Sequence, residues 1–269
     1  MISYDNYLTE FRLKGIDLIN MKAIFFTDPH RGYDNNTSRI HDKVFASLDQ
    51  SLFDIVVVSG DWGIVTLDNV RKSFRAFRVA FPTKKIVGVL GNHDYWDKET
   101  KSMAAKVEQI KKFAQESDIH LLENNPYEID NIVFLGFNGW YHHPHPSTRD
   151  SDYMSQYVDG QTVDNYLRNL ADKAVTNMMD YPKENKVIVS VTHFPCIEKA
   201  MDIPEWNGNP RHGEVLLEFS DLIVFGHTHQ PYDQVIDGVR VLNVGSDRSK
   251  PHEGYNQLVY KIIDLKQII

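Results

Sequence analysis

Ile86-Val87-Gly88-Val89-Leu90-Gly91-Asn92-His93-Asp94 is the stretch from which the rest of this chain can be read. Its apolar run shows no polar alternation, which marks a strand buried on both faces, as in a parallel sheet. The run ends in glycine and delivers an amide, an imidazole and a carboxylate at the carboxyl end of the strand. Open α/β sheets place their ligands there. Asn offers a neutral carbonyl oxygen to a metal, and His can donate a proton near neutral pH. A following Asp can hold that ring in one tautomer and keep it charged. Alone, the same four residues would equally suit an ordinary turn.

Four more strand ends carry complementary groups. Upstream, Lys22 to Thr27 runs into Asp28-Pro29-His30, and Asp54 to Ser59 into Gly60-Asp61-Trp62-Gly63. Downstream, Lys186 to Val191 leads to Thr192-His193-Phe194-Pro195, and Asp221 to Phe225 to Gly226-His227-Thr228-His229. Alternate residues of an extended chain share a face, so Asp28 with His30, and His227 with His229, can converge. The glycines around Asp61 permit a tight turn that exposes its carboxylate. Any one of these histidines has a bland reading as a satisfied core or surface residue. Together, at five strand ends, they do not. Hard oxygens with imidazole nitrogens and no thiolate suit Mn, Fe, Zn, Co or Ni. Two ions sharing Asp61, at the ~3.5–4 Å spacing of two-metal hydrolases, would use the whole set.

Around these clusters the pattern is β-α-β, with helical spacing over Ser38–Ser51 (Thr37 or Ser38 as N-cap), Leu67–Phe81, Lys98–Glu116 and Asp159–Tyr181. A hairpin around Asp237-Gly238 and a closing strand over Leu258–Leu265 follow. No repeat or linker divides the 269 residues, so one domain over 1–269 is expected, with 1–21 an N-terminal arm on its flank. The stretches 138–158 and 194–212 read as substrate-facing loops. In them Trp140, His142, His143, Trp206 and Arg211 are candidates to stack on a base or hold a phosphate. His142, His143 and His145 have no carboxylate or cysteine at ligand spacing, so a lid suits them better than a metal site.

A formal charge of −8 argues against broad nucleic-acid coating and against binding to anionic membranes. The one cysteine, Cys196, excludes an intramolecular disulfide and reads as a small buried residue in a reducing compartment. No segment has the apolar length of a signal peptide or membrane helix. The expectation is a soluble, cytoplasmic protein without membrane or disulfide partners.

Taken in order, Asp-x-His, Gly-Asp, Gly-Asn-His-Asp, a strand-end His and Gly-His-x-His span about residues 22–246 and resemble the calcineurin-like metallophosphoesterase superfamily. The resemblance implies a four-layer α/β fold, a β-sandwich of two mixed sheets flanked by helices. It implies two divalent metal ions, manganese foremost in vitro: Asp28, His30 and His229 on the first, Asn92, His193 and His227 on the second, and Asp61 bridging. A bridging water or hydroxide would attack phosphorus. His93 would stabilise the transition state or protonate the leaving group, oriented by Asp94. Ser/Thr protein phosphatases of the superfamily carry Arg-Gly-Asn-His-Glu, where this chain has Leu90 and Asp94. Secreted purple phosphatases use a tyrosine where Trp62 stands, and the repair nucleases add a capping domain. What is left is a small phosphodiester or phosphomonoester substrate, a nucleotide among the candidates. The alternatives are a nuclease or protein phosphatase of the superfamily, or a non-catalytic scaffold such as the retromer subunit with this fold. The complete ligand set speaks against the scaffold.

Overall fold

The computed structural model describes residues 20–32, 34–64, 66–97, 101–141, 150, 157–158, 161–201, 208–246 and 258–268. The chain begins with β1 (Lys22–Phe26), α1 (Asn35–Ser47), β2 (Ile55–Ser59), α2 (Leu67–Ala80) and β3 (Lys85–Val89). A one-turn helix α3 (Asn92–Tyr95), α4 (Met103–Glu116), β4 (His120–Leu121), β5 (Tyr127–Ile129) and β6 (Ile132–Phe137) come next. A small hairpin, β7 (Tyr157–Val158) with β8 (Gln161–Thr162), precedes α5 (Val163–Met179) and β9 (Val187–Thr192). Then follow α6 (Pro210–Phe219), β10 (Leu222–Val224), β11 (Tyr232–Ile236), β12 (Val239–Asn243) and β13 (Lys261–Asp264).

These strands form two mixed sheets, as the resemblance implies. One has the order β13-β1-β2-β3-β4, the other β11-β12-β10-β9-β6-β5. In the first, β1 to β4 are parallel and only β13 runs against β1. In the second, β12, β10, β9 and β6 are parallel, with antiparallel edges at β11 and β5. The central strands β1, β2, β6, β9 and β10 are buried on both faces because each sheet is covered twice. Ala23, Phe25, Val57 and Val87 face Phe134, Val189, Val224 and Leu242 across one apolar layer between the sheets. The alternate residues Ile24, Phe26, Val56 and Val58 face outward into a second core with Phe45 of α1 and Phe74 and Phe77 of α2. Phe26 makes edge-on contacts with Phe45 and Phe77, the geometry ring quadrupoles favour.

Element boundaries moved where a cap lay outside the apolar pattern. The first helix begins at Asn35, because Asp34 rather than Thr37 or Ser38 is the N-cap and accepts from Thr37 N–H. Ser102 and Thr162 cap α4 and α5 in the same way, so these helices start later than their apolar spacing suggests. The expected loop 194–212 gives way to helix at Pro210: Asn209 accepts from Arg211 N–H, and proline suits the first helical position. The hairpin is as expected, with Asp237 and Gly238 at φ 51° and 82°. Among the described residues no helix is long and apolar enough to cross a membrane.

Gly136 of β6 packs closely against Val89 and Leu122 on the side of the facing sheet. A Cβ there would stand 2.6 Å from Val89 Cγ1 and 2.8 Å from the Val191 carbonyl oxygen. Gly136→Ala is expected to wedge the sandwich and cost about 1–3 kcal/mol, read as a lower urea midpoint.

Candidate metal centre

All five polar strand ends open on the same edge of the sandwich. Asp28 and His30 follow β1, Asp61 follows β2, Asn92 and His93 follow β3, His193 follows β9, and His227 and His229 follow β10. Five of these residues hold left-handed backbone: Asp28 (φ 50°), His30 (46°), Asp61 (53°), His227 (65°) and His229 (59°). Such conformations cost about 1–3 kcal/mol each and persist only where the surroundings enforce them. Here the loops fasten one another. His30 N–H donates to Asp61 O (2.7 Å), His227 N–H to Asp28 Oδ1 (2.8 Å) and His93 N–H to Asp61 Oδ1 (2.9 Å). Glycine is required beside them: a Cβ on Gly60 would meet His193 Nδ1 at 2.4 Å, and one on Gly91 would meet Asp61 Oδ1 at 2.1 Å.

The side chains converge in three overlapping sets whose donor atoms lie within 4.8 Å of one another: Asp28, His30 and His229; His30, Asp61 and His93; and Asp28, Asp61 and His193. His30 Nε2 is 3.1 Å from His229 Nε2 and 3.3 Å from Asp61 Oδ2. His193 Nε2 is 3.5 Å from Asp61 Oδ1, and its ring centroid is 5.3 Å from that of His227. His93 Nε2 stands 3.9 Å from Asp61 Oδ2. Burial raises the Asp61 carboxyl well above the usual carboxylate range, and the nearby Asp94 and Asp28 raise it further. Burial lowers His193 well below the usual imidazole range, helped by His227. The ring is therefore neutral, the form that binds metals.

One contact tests whether a cation fits. His193 Nδ1 lies 3.0 Å from the Ser59 carbonyl oxygen, which can only accept, so Nδ1 carries the proton. In the neutral ring Nε2 is then a bare lone pair. Asn92 Nδ2 donates to Asp150 Oδ1 (3.0 Å), which turns the amide oxygen the other way. Asn92 Oδ1 and His193 Nε2 thus meet at 2.9 Å as two acceptors. That arrangement is repulsive unless a cation lies against both. The residues fit a divalent ion.

Three supporting residues were not anticipated. Trp96 stacks on the His93 ring (centroids 3.5 Å apart, planes 28°) and donates its indole N–H to the same Asp150 oxygen (2.9 Å). Lys106, buried on the inner face of α4, donates to the carbonyls of Tyr95 (3.0 Å) and Trp96 (2.9 Å), and burial lowers its pKa to about 8. A lysine three residues after Met103, on an apolar stripe, was the available signal. Asp94 is a correction. Expected to orient His93, its carboxylate accepts from the backbone N–H groups of Trp62 (3.3 Å), Gly63 (3.1 Å) and Gly91 (2.9 Å), tying the β2 and β3 loops together. Burial pushes it up to about 6, against these hydrogen bonds.

The substrate candidates fare differently. Trp140 is fully buried, donates to Asp164 Oδ1 (3.0 Å) and packs on Tyr141 and Phe194, so it is core and offers no face for stacking. Arg211 is exposed on the first turn of α6. His142, His143 and Trp206 lie outside the described residues. Cys196 is buried, with its thiol pushed up to about 12, as expected of an inert side chain.

The sequence profile of the calcineurin-like phosphoesterase superfamily domain matches residues 21–267. The chain belongs to this superfamily. It is 24% identical to the uncharacterized protein L509 of Acanthamoeba polyphaga mimivirus, over 78% of this chain and 83% of that one. In fold it resembles the phosphopantetheinyl hydrolase PptH of Mycobacterium tuberculosis (TM-score 0.65, 20% identity, 87% and 94% of the two chains). It also resembles a dimetal phosphatase from Danio rerio (TM-score 0.54, 11% identity, 90% and 91%). At these identities the likeness is one of fold.

Removing metal with a chelator is expected to lower the melting temperature, because the buried acceptors lose the cation that reconciles them. Added Mn²⁺ should restore it, by about 2.7 kcal/mol at a hundred times the dissociation constant. Asp61→Asn should abolish this Mn²⁺-dependent rise, measured by calorimetry.

Proposed function

We propose that the chain is a metal-dependent phosphoester hydrolase with a two-ion centre, acting on a small phosphodiester or phosphomonoester. The observation that carries this is the pairing of His193 Nε2 and Asn92 Oδ1, two acceptors 2.9 Å apart beside a shared buried carboxylate. Asp28, His30 and His229 would hold one ion, Asn92, His193 and His227 the other, with Asp61 between them. When bound, divalent ions supply Lewis acidity to phosphoryl oxygens and make coordinated water acidic enough to act near neutral pH.

The chain's own residues do the rest. Asp28 and Asp61 are almost wholly buried, so their charge meets the ions in a medium of low dielectric, where attraction is strong. His93 stands at the rim of the cluster, 7% exposed. It is the one imidazole there whose assignment leaves it to face substrate. It would stabilise the negative charge growing on the phosphoryl oxygens or protonate the departing oxygen. Stacking on Trp96 fixes its plane, and the His93 N–H bond to Asp61 fixes its backbone. The phosphoester hydrolases among its fold neighbours support the same bond class. The lone buried cysteine suits a reducing, cytoplasmic setting. With Trp140 in the core, a nucleotide base has lost one expected stacking partner, and the substrate class rests on the reacting phosphoryl group alone.

Hydrolysis of bis-p-nitrophenyl phosphate should be compared with that of p-nitrophenyl phosphate in Mn²⁺. Turnover of either that vanishes in Asp61→Asn supports the reading and shows which ester is preferred. His93→Asn should lower kcat by about 10²–10⁴-fold while keeping the Mn²⁺-dependent rise in melting temperature. Neither turnover nor Mn²⁺ binding would overturn the hydrolase and favour a scaffold. Trp96→Ala should lower kcat by about tenfold or more, because a misplaced acid loses alignment with the bond it serves.

A further inference from the structure

Glu123 stands where the two sheets meet. Its backbone bridges to Gly136 of β6, in the second sheet. In the first sheet the ladder between β3 and β4 stops where Leu122 N–H donates to Gly88 O. The next amide along β3's direction, Leu90 N–H, donates to the Glu123 carboxylate through Oε1. Leu90 directly precedes Gly91-Asn92-His93-Asp94. One side chain thus carries the link from the second sheet to the loop that bears Asn92 and His93.

The second carboxylate oxygen, Oε2, is buried with no hydrogen-bond partner among the described residues. Glu123 lines a cavity of about 230 Å³ behind that loop, together with Leu90, Tyr95, Lys111, Asn138 and Lys173. Lys111 on α4 favours the carboxylate and Asp94 disfavours it, while Lys173 approaches from α5 and Tyr95 from α3. Burial dominates and pushes the Glu123 carboxyl up to about 7.

We propose that Glu123 is a positioning residue for the Gly91–Asp94 loop, its carboxylate holding Leu90 N–H and its buried second oxygen making that hold sensitive to pH. The catalytic part rests on the hydrolase reading above; the pH part does not. The sign follows from linkage. An unfolded Glu ionises near its ordinary value, and the folded one only near 7. Ionisation therefore costs the folded state nothing well below the ordinary value. The cost grows between the two and is complete above about 7.

Glu123→Gln keeps an oxygen for Leu90 N–H and cannot ionise; Glu123→Ala loses both features. With bis-p-nitrophenyl phosphate and Mn²⁺, Glu123→Gln should keep kcat within about threefold. Glu123→Ala should lose about tenfold or more in kcat with KM nearly unchanged, as expected when a geometric support is removed. Glu123→Gln should melt with wild type at about pH 4 and above it at about pH 8, because only wild type bears the ionisation cost. An unchanged kcat in Glu123→Ala, or a melting difference that is flat with pH, overturns the proposal. Should Glu123→Ala not fold, the pH dependence of Glu123→Gln decides alone. Should wild type hydrolyse no ester, the hydrolase reading fails instead. Positioning is then judged on the Mn²⁺-dependent rise in melting temperature: kept in Glu123→Gln and reduced in Glu123→Ala supports it, equal in all three overturns it.

Discussion

The constraint on which this structure depends is the burial of like groups together. Asp28, Asp61 and Asp94 are each about 1% exposed and crowd one edge of the sandwich. Burying carboxylates side by side is among the most expensive things a fold can do. The buried imidazole of His193 adds no compensating positive charge, because burial keeps it neutral. Two of the three, Asp28 and Asp61, lie in the clusters of His and Asp donor atoms that could hold a cation, and the third does not. Asp94 is satisfied by three backbone N–H groups, a neutral solution that leaves it outside the metal set. The same residue type at the same depth has two tasks, separated by which donors surround it.

The backbone reflects the same division. Left-handed conformations at Asp28, His30, Asp61, His227 and His229 would be unfavourable in isolation. They are held because each loop hydrogen-bonds to its neighbour across the strand ends. Asp61 accepts from His93 N–H, Asp28 accepts from His227 N–H, and Asp94 joins the β2 and β3 loops. The parallel strands supply the rigid register beneath: β1, β2 and β3 pair residue for residue, so their carboxyl ends come out level. Strain in the loops is thus supported by the sheets, and the sheets owe their order to the two apolar layers. Side chains assembled this way are held in place by the fold itself.

The sequence made the fold, and the gathering of polar side chains at one edge, legible for one physical reason. Strands buried on both faces read as uninterrupted apolar runs, and polar residues at their ends had nowhere to go but a common edge. Asp28, His30, Asp61, Asn92, His193, His227 and His229 could be read in order because of it. What stayed hidden was the tertiary layer around them. Lys106 sits on a helix and Glu123 after a short strand, and Asp150 lies between stretches with no regular pattern. Their roles depend on contacts across 10, 33 and 58 residues of chain, which periodicity does not encode. Trp140 failed for the opposite reason. An aromatic residue in a Pro- and His-rich stretch looked like a substrate platform, yet Gly139 turns the chain at φ 72° and delivers the indole inward to Asp164.

The stacked pair of His93 and Trp96 bears most directly on chemistry. The indole face lies 3.5 Å from the imidazole with the planes 28° apart, and Asp61 Oδ2 stands 3.9 Å from His93 Nε2, so the ring is held between an aromatic face and a buried carboxylate. Lys106 donates to the backbone carbonyl of Trp96 and Asp150 accepts from its indole N–H, so the orientation of the His93 ring is set at one remove. Because Asp150 also turns the Asn92 amide toward His193, the His93–Trp96 pair and Asn92 share one anchor. A displacement of either is transmitted to the other.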